Sequence, residues 1–236
     1  MSLSAIFPIK NWCFSTQSVL DSLSEEDYAF LILRQEKQKY KKGEVIYKEG
    51  VVPSGVFFIH EGKIKKYKAD QNDKEQVLYI INKGELVGYH SILAEDRYTD
   101  SASALQSSVI SFIPKEDFLS ILNRSPLFSR RLLKILSDES AVFANKISIF
   151  GQRTAVERLA IALIILREKF KIDTTENKEI RIDISRNDLA GIAGIATENV
   201  TRLLKEFKSE GIISTSGRTI LVLDIIKLVQ RSNYVG

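Results

Sequence analysis

The sequence predicts an α+β fold made of an N-terminal antiparallel β-roll (a double-stranded β-helix or jelly roll), a long helix, and a C-terminal winged helix-turn-helix. Three observations predict it. Short β-rich runs separated by glycines fill residues 38–118, a helical pattern follows from Leu127 to about Gly151, and residues 185–213 contain two short helical patterns joined at a glycine. At 236 residues the chain is long enough for more than one domain. The expected domains are 1–126, 127–151 and 152–236.

The composition is that of an ordinary globular protein, with 44% hydrophobic and 27% charged residues. No stretch approaches the roughly 20 consecutive apolar residues that span a bilayer. The N-terminus has no continuous apolar run after a basic start, and Cys13 is the single cysteine. These features predict a cytoplasmic protein with no membrane partner and no internal disulfide.

The β-roll is predicted by the spacing of its strands. Glycines recur between runs that are rich in β-branched and aromatic residues, as in an antiparallel barrel or sandwich. Before the roll, Ser24 followed by acidic residues signals the start of a short helix. The predicted strands are EVIY, GVFFIHEG, KIKKYKA, QVLYII and VISFIP, and the glycines are Gly43, Gly50, Gly55, Gly62, Gly84 and Gly88.

The long helix carries an apolar seam at heptad spacing. Five of its six a and d positions are apolar, with Ser140 as the exception. Such a seam can join two chains into a homodimer, but the same stripe could also pack on the β-roll of its own chain. Three heptads do not distinguish the two arrangements. The seam residues are Leu133, Leu136, Phe143, Ile147 and Phe150.

After a break at Gly151, a helix is expected to start near Arg153, followed by the alternating strand EIRIDI. Ser185 and Asp188 resemble a capping box that starts the next helix, and Gly194 ends it. Thr197 is expected to cap the second helix of the pair. Gly211 ends that helix, and a hairpin turning at Ser216-Gly217 completes the winged helix-turn-helix.

The second helix has two faces. Residues at spacings of three and four form its buried side: Val200, Leu203, Leu204 and Phe207. The outer side is left with Glu198, Asn199, Thr201, Arg202 and Lys205. From residue 152 onward the chain has 14 Lys and Arg against 11 Asp and Glu, a basic excess that permits but does not require a nucleic-acid partner.

The segment ISRNDLAGIAGIATENVTRLLKEFKSEGII, preceded by a β-roll and a long helix, resembles the Crp/Fnr family of bacterial transcription regulators. That family's recognition-helix pattern, Glu-x-x-[Ser/Thr/Gly]-Arg-x-Leu, is matched by Glu198, Thr201, Arg202 and Leu204. The resemblance implies a homodimer that binds double-stranded DNA and contacts RNA polymerase. It also implies an inverted repeat with half-sites built around TGA.

The resemblance assigns roles that fit the chemistry of base edges. Arginine can donate two hydrogen bonds to guanine, and a carboxylate can accept one from cytosine, so Arg202 and Glu198, with Thr201, are the expected base readers. Arg202 and Glu198 lie one turn apart and can also brace each other, or form only a surface pair. The expected backbone contacts are Ser185, Arg186, Thr197, Asn199, Lys205 and Arg218, of which the cations could instead be merely solvated.

The predicted effector region departs from the pattern of cyclic-nucleotide-binding relatives. Tyr89 stands where those relatives have a ribose-binding glutamate, and Tyr98 or Thr99 stands where they have a phosphate-binding arginine. Arg97 is one or two places early, and a buried phosphate without a cation is unfavourable. These departures disfavour nucleotide binding. The alternative function is a regulatory module that responds to cyclic AMP or cyclic GMP. The candidate pocket residues are Gly84, Glu85, Tyr89, Arg97, Tyr98 and Thr99.

The oxygen-sensing branch of the family is more similar in GELVGYHSIL and AVERLA, but its iron-sulfur cluster needs four thiolates and this chain has one cysteine. His60 and His90 are too scattered to predict a haem or metal site. No Walker loop, zinc-ligand cluster or nucleophile elbow is present, so no enzyme is expected. The sequence predicts no cofactor and leaves the small-molecule effector unassigned.

Overall fold

The computed structural model describes residues 3–33, 35–171 and 179–234. Two compact units make up the chain. The roll unit comprises Phe14–Asp70 and Val77–Glu139, and the C-terminal unit comprises Met1–Cys13, Gln71–Gln76 and Ser140–Gly236. In the described ranges, no helix combines the length and the apolar character needed to cross a membrane.

The roll unit begins with short helices. Ser24 caps the second of them by accepting a hydrogen bond from the Asp27 N–H at 3.1 Å, which confirms the predicted helix start. A π-helical turn at Ala29–Leu33 leads into the strands. The helices are α1 (Gln17–Leu20), α2 (Glu25–Tyr28), α3 (Tyr89–Leu93) and α4 (Lys115–Arg124). The strands are β1 (Lys37–Tyr40), β2 (Val45–Tyr47), β3 (Gly55–Glu61), β4 (Lys63–Ala69), β5 (Glu75–Asn82), β6 (Leu86–Val87), β7 (Ser101–Ala104) and β8 (Ser108–Pro114).

These strands form two antiparallel sheets, ordered β1-β8-β3-β6 and β2-β7-β4-β5. Side chains from both sheets share one apolar cluster, which includes Ile59 of β3 and Ile64 of β4. The predicted antiparallel roll is therefore confirmed. Three strands lie outside the predicted runs: β1 is rich in lysine, β7 consists of serine and alanine, and β6 has only two residues, too few for a pattern.

The long helix α5 spans Pro126–Gln152 and carries two different apolar stripes. One stripe is buried, and the predicted seam lies on another face, where Leu133 is 67% exposed and Ile147 is 72% exposed. Within the seam, Leu136 packs partly against the apolar core of the roll unit, while Phe150 is 38% exposed. The buried stripe comprises Phe128, Leu132, Ile135, Val142 and Ile149.

Gly151 does not break the helix, contrary to the expectation. It lies inside α5, and the next helix, α6 (Ala155–Lys171), starts three residues after Gln152. A capping box sets this start: Thr154 N–H donates to Glu157 at 2.8 Å, and Glu157 N–H donates to Thr154 Oγ1 at 3.4 Å. Helix α5 ends one residue beyond Gly151, so this single glycine only weakly disfavours the helix.

The C-terminal unit contains the expected winged helix-turn-helix. Its three-stranded antiparallel sheet is ordered β10-β11-β9. After two short 3-10 turns at Leu3–Ala5 and Ile9–Asn11, its elements are α6, β9 (Arg181–Asp183), α7 (Arg186–Ala193), α8 (Thr197–Ser209), β10 (Ile213–Ser216), β11 (Thr219–Val222) and α9 (Ile225–Arg231).

The turn of the wing lies one residue later than predicted. Ser216 pairs with Thr219, so the two loop residues are Gly217 and Arg218 instead of Ser216 and Gly217. Gly217 has φ +56°, which the first loop position of such a turn requires and which glycine adopts without strain. Arg218 is therefore the side chain at the tip of the wing.

Candidate DNA-binding surface and effector region

The helix-turn-helix is held by contacts at both ends of α7. At its start, Ser185 Oγ accepts from the Asp188 N–H at 3.0 Å and donates to the Asp188 carboxylate at 2.5 Å, so the predicted cap is confirmed. At its end, Gly194 adopts φ +62° and its carbonyl accepts from Arg158 Nη1 of α6 at 3.0 Å. A Cβ on Gly194 would lie 2.5 Å from the Phe150 ring, so only glycine fits.

The second helix, α8, separates apolar from polar residues as predicted. Val200, Leu203, Leu204 and Phe207 are buried, and Glu198, Asn199, Thr201, Arg202 and Lys205 are exposed. The expected brace between Glu198 and Arg202 is absent from the described ion pairs: Arg202 Nη1 lies 3.7 Å from Glu206, one turn towards the C-terminus. Arg202 keeps 62% of its side chain exposed, because a pair so loosely held on the surface does not cover the guanidinium.

Thr197 does not cap α8. The N-cap residue is Ala196, which has no side-chain acceptor, and Thr197 is the first helical residue. Its hydroxyl instead donates to Asn187 Oδ1 of α7 at 3.2 Å, and its carbonyl accepts from Thr201 Oγ1 at 3.1 Å. Asn187 therefore joins the two helices, a role that helical spacing alone does not reveal.

The wing lies against the start of α7. Arg186 Nη2 donates to the carbonyl of Gly217 at 3.1 Å, and the Ile184 N–H donates to the carbonyl of Arg218 at 3.3 Å. The side chains of Arg218 and Lys205 are exposed. The C-terminal unit thus presents separate cations on α8 and on the wing.

The roll unit contains a buried polar cluster, which we define as Lys66, Tyr89, Asp100 and Glu139 together with the part-exposed His90. Glu139 Oε2 accepts from the Tyr89 hydroxyl at 3.1 Å and lies 2.5 Å from His90 Nε2. Lys66 Nζ lies 3.3 Å from Asp100 and 3.7 Å from Glu139. Tyr47 OH donates to the second oxygen of Asp100 at 3.1 Å. The cluster ties β4, α3 and the segment before β7 to α5.

The carboxylate of Glu139 is held in its charged form. Burial raises its pKa, but hydrogen bonding to His90, the charges of His90 and Lys66, and the Tyr89 hydroxyl outweigh burial, so the net shift is downward. The cavity that Glu139 lines together with Glu85, Tyr89 and His90 measures only about 10 Å³. That volume accommodates about one water molecule.

Comparison with known proteins finds one matching family domain in the N-terminal part of the chain and another in the C-terminal part. Residues 37–125 match the cyclic nucleotide-binding domain, and residues 157–231 match the Crp-like helix-turn-helix domain. The transcriptional activator protein FnrA of Stutzerimonas stutzeri is 30% identical over 190 residues, covering 80% of this chain and 77% of FnrA. The chain belongs to the Crp/Fnr family. It is a transcription regulator with a helix-turn-helix DNA-binding domain.

One further sequence relative and one solved structure are similar to the chain. The fumarate and nitrate reduction regulatory protein of Vibrio cholerae is 27% identical over 214 residues, covering 91% of this chain and 82% of the relative. FixK2 of Bradyrhizobium japonicum shares the fold, with a TM-score of 0.75 and 20% identity over 86% of this chain and 99% of FixK2. Regulators of this family bind DNA and form dimers.

In this Crp/Fnr protein, the candidate effector residues do not converge on one pocket. Glu85 and Tyr89 line the 10 Å³ cavity, whereas Arg97 is exposed, donates to the Gly50 carbonyl at 2.9 Å and lines a separate cleft of about 270 Å³. Tyr98 donates to the Gly55 carbonyl at 3.1 Å and stacks on Tyr47 at 4.0 Å, Thr99 is exposed, and Gly84 forms a turn with φ +79°.

Sequence reasoning missed four members of the buried cluster, namely Lys66, His90, Asp100 and Glu139. They lie far apart along the chain on different elements, so no local pattern marks them. In the described ranges, this cluster included, no group of three or more His, Cys, Asp or Glu side chains is arranged to hold a metal ion.

Proposed function

We propose that the protein acts as a homodimer that reads an inverted repeat in double-stranded DNA, with TGA-containing half-sites. The observation that carries the proposal is the outer face of α8, where Glu198, Thr201 and Arg202 are exposed beside each other. Arg202 would donate to guanine O6 and N7, and Glu198 would accept from cytosine N4. Phosphate contacts would come from Ser185, Thr197, Asn199, Lys205 and Arg218, of which the last lies on the wing.

The exposed seam of α5 supports the homodimer. Leu133 and Ile147 are large apolar side chains that are mostly exposed, while a different stripe of the helix supplies its buried contacts. Contact between two copies of this seam would bury them around a two-fold axis. Two copies of α8 would then enter successive major grooves, roughly 34 to 36 Å apart.

The same proposal places the protein in the bacterial cytoplasm, where it would meet RNA polymerase at the promoters it controls. FnrA is named as a transcriptional activator, which supports activation as one outcome of binding. No enzymatic step and no membrane partner belong to this function. The effector, if the roll binds one, stays unassigned.

A competition titration on matched and guanine-substituted duplexes tests the base reader. Arg202→Ala should cost about 1 to 3 kcal/mol on the matched duplex and little on the substituted one, because its guanine partner is then already missing. Lys205→Ala is the matched control, since an exposed phosphate contact on the same helix should weaken both duplexes alike. Equal losses on both duplexes for Arg202→Ala would show that Arg202 does not read a base.

A further inference from the structure

The two terminal nitrogens of the Arg186 guanidinium lie against the protein. Its Nη2 donates to the carbonyl of Gly217 at 3.1 Å. Its Nη1 is shielded from solvent and finds no hydrogen-bond partner among the described residues. A guanidinium that grips a phosphate bidentately presents two parallel N–H groups to it. The end-on Nη1–Nη2 pair of Arg186 is not free for such a grip, because Nη2 already donates to Gly217 and Nη1 is covered.

The two donors at the junction of β9 and α7 hold two consecutive carbonyls of the wing. The Ile184 N–H donates to the carbonyl of Arg218, and Arg186 donates to that of Gly217. Each strand of the β10-β11 hairpin has only four residues, and β9 pairs with β11 only from Thr219 to Leu221, so the two loop residues lie beyond that pairing. The tip of the wing therefore depends on this junction for its position.

Arg218 is the cation whose position this junction controls. It is the second loop residue of the wing and its side chain is exposed. We propose that Arg186 is a positioning residue which holds the wing so that Arg218 meets a DNA phosphate, and that Arg186 makes no phosphate contact of its own. The inference rests on the proposed DNA-reading function.

Hydrogen exchange in the free protein provides a test that does not require DNA. Arg186→Met keeps the aliphatic stem and removes the donor, so amides of residues 213–222 should exchange several-fold faster. Arg186→Lys keeps a donor and should restore part of the protection. Arg218→Ala and Lys205→Ala should leave the exchange of this segment unchanged. Wild-type protection in Arg186→Met would overturn the proposal, because the wing would then be held without Arg186.

A double-mutant cycle on DNA provides the second test. Arg186→Met and Arg218→Ala should each lower affinity on the order of tenfold for every sequence and reduce the salt slope by about 0.9. The double variant should be no weaker than Arg218→Ala, because both changes remove the same contact. Lys205→Ala with Arg218→Ala is the control pair, whose losses should multiply and whose salt slope should fall by about 1.8.

Multiplying losses for Arg186→Met with Arg218→Ala would mean that Arg186 contacts a phosphate directly, and the proposal would be wrong. Failure of the base-reading proposal gives a different result. In that case Arg202→Ala loses affinity equally on matched and substituted duplexes, while the coupling between Arg186 and Arg218 is still measurable on any sequence.

Discussion

The outer face of α8 and the buried cluster of the roll unit each contain an acid and a base at the same separation. Arg202 lies 3.7 Å from Glu206, and Lys66 lies 3.7 Å from Glu139. Their surroundings differ, since the side chain of Arg202 is 62% exposed and that of Lys66 only 8%. Water screens the first pair, so its guanidinium can exchange partners, whereas the second pair has left water and depends on its own partners. Exposure, not distance, determines which cation is available to DNA.

The largest effect expected from this contrast is on stability. Lys66→Met should lower the free energy of unfolding by about 3 to 5 kcal/mol, because it leaves the buried carboxylate of Asp100 without Lys66 and leaves Glu139 with His90 as its ion-pair partner. Lys68→Met is the matched control on the same strand. Lys68 is 52% exposed and pairs with Glu49 at 2.8 Å, so its loss should cost about 0 to 1 kcal/mol. Urea unfolding measures the free energy of unfolding of both variants. Equal losses would show that burial does not change what such an ion pair contributes to stability.

The long helix α5 shows the same contrast in exposure, because one of its apolar stripes is buried and the other is exposed. Ile147→Asp should raise the dissociation constant of the proposed dimer at least about 100-fold, equal to about 2.7 kcal/mol, since two like charges would meet in an apolar seam. Ser148→Asp adds the same charge at the next exposed position, off the seam, and should leave the dimer intact. Sedimentation of both variants measures how much dimer each forms. An unchanged dimer in Ile147→Asp would show that the seam is not the dimer interface.

The smallest expected effect concerns ligand binding by the roll. Because the cluster fills the space around Tyr89 and leaves about 10 Å³, cyclic AMP and cyclic GMP should bind no tighter than about 1 mM. Calorimetry with both nucleotides checks this, with DNA titrated in parallel to establish that the protein is active. Micromolar binding would revive the alternative of a cyclic-nucleotide module and would require the cluster to open.

The winged helix-turn-helix could be predicted closely from the chain. Its signals lie within about thirty residues: the Ser185 cap, the break at Gly194, and apolar residues of α8 at spacings of three and four. Such features follow from local backbone chemistry, which the order of residues already contains. The family resemblance rested on the same residues and was confirmed by the matches to both domains.

The errors have a physical pattern. Thr197 was expected to cap α8, but its hydroxyl donates to Asn187, and the wing turns one residue later than expected. The end of an element depends on which of several competing hydrogen bonds forms, and periodicity cannot select among them. Gly151 is a further example, because α5 continues through it and the neighbouring capping box starts α6.

The buried cluster shows what the order of residues does not contain. Lys66, His90, Asp100 and Glu139 are ordinary charged or polar residues in their local segments, and only the packing of β4, α3 and the segment before β7 against α5 brings them together. Likewise, the exposure of the α5 seam and the inward turn of Arg186 depend on what packs beside them. Periodicity specifies which residues share a face, but burial and pairing are properties of three-dimensional neighbours, because desolvation depends on every element around a charge.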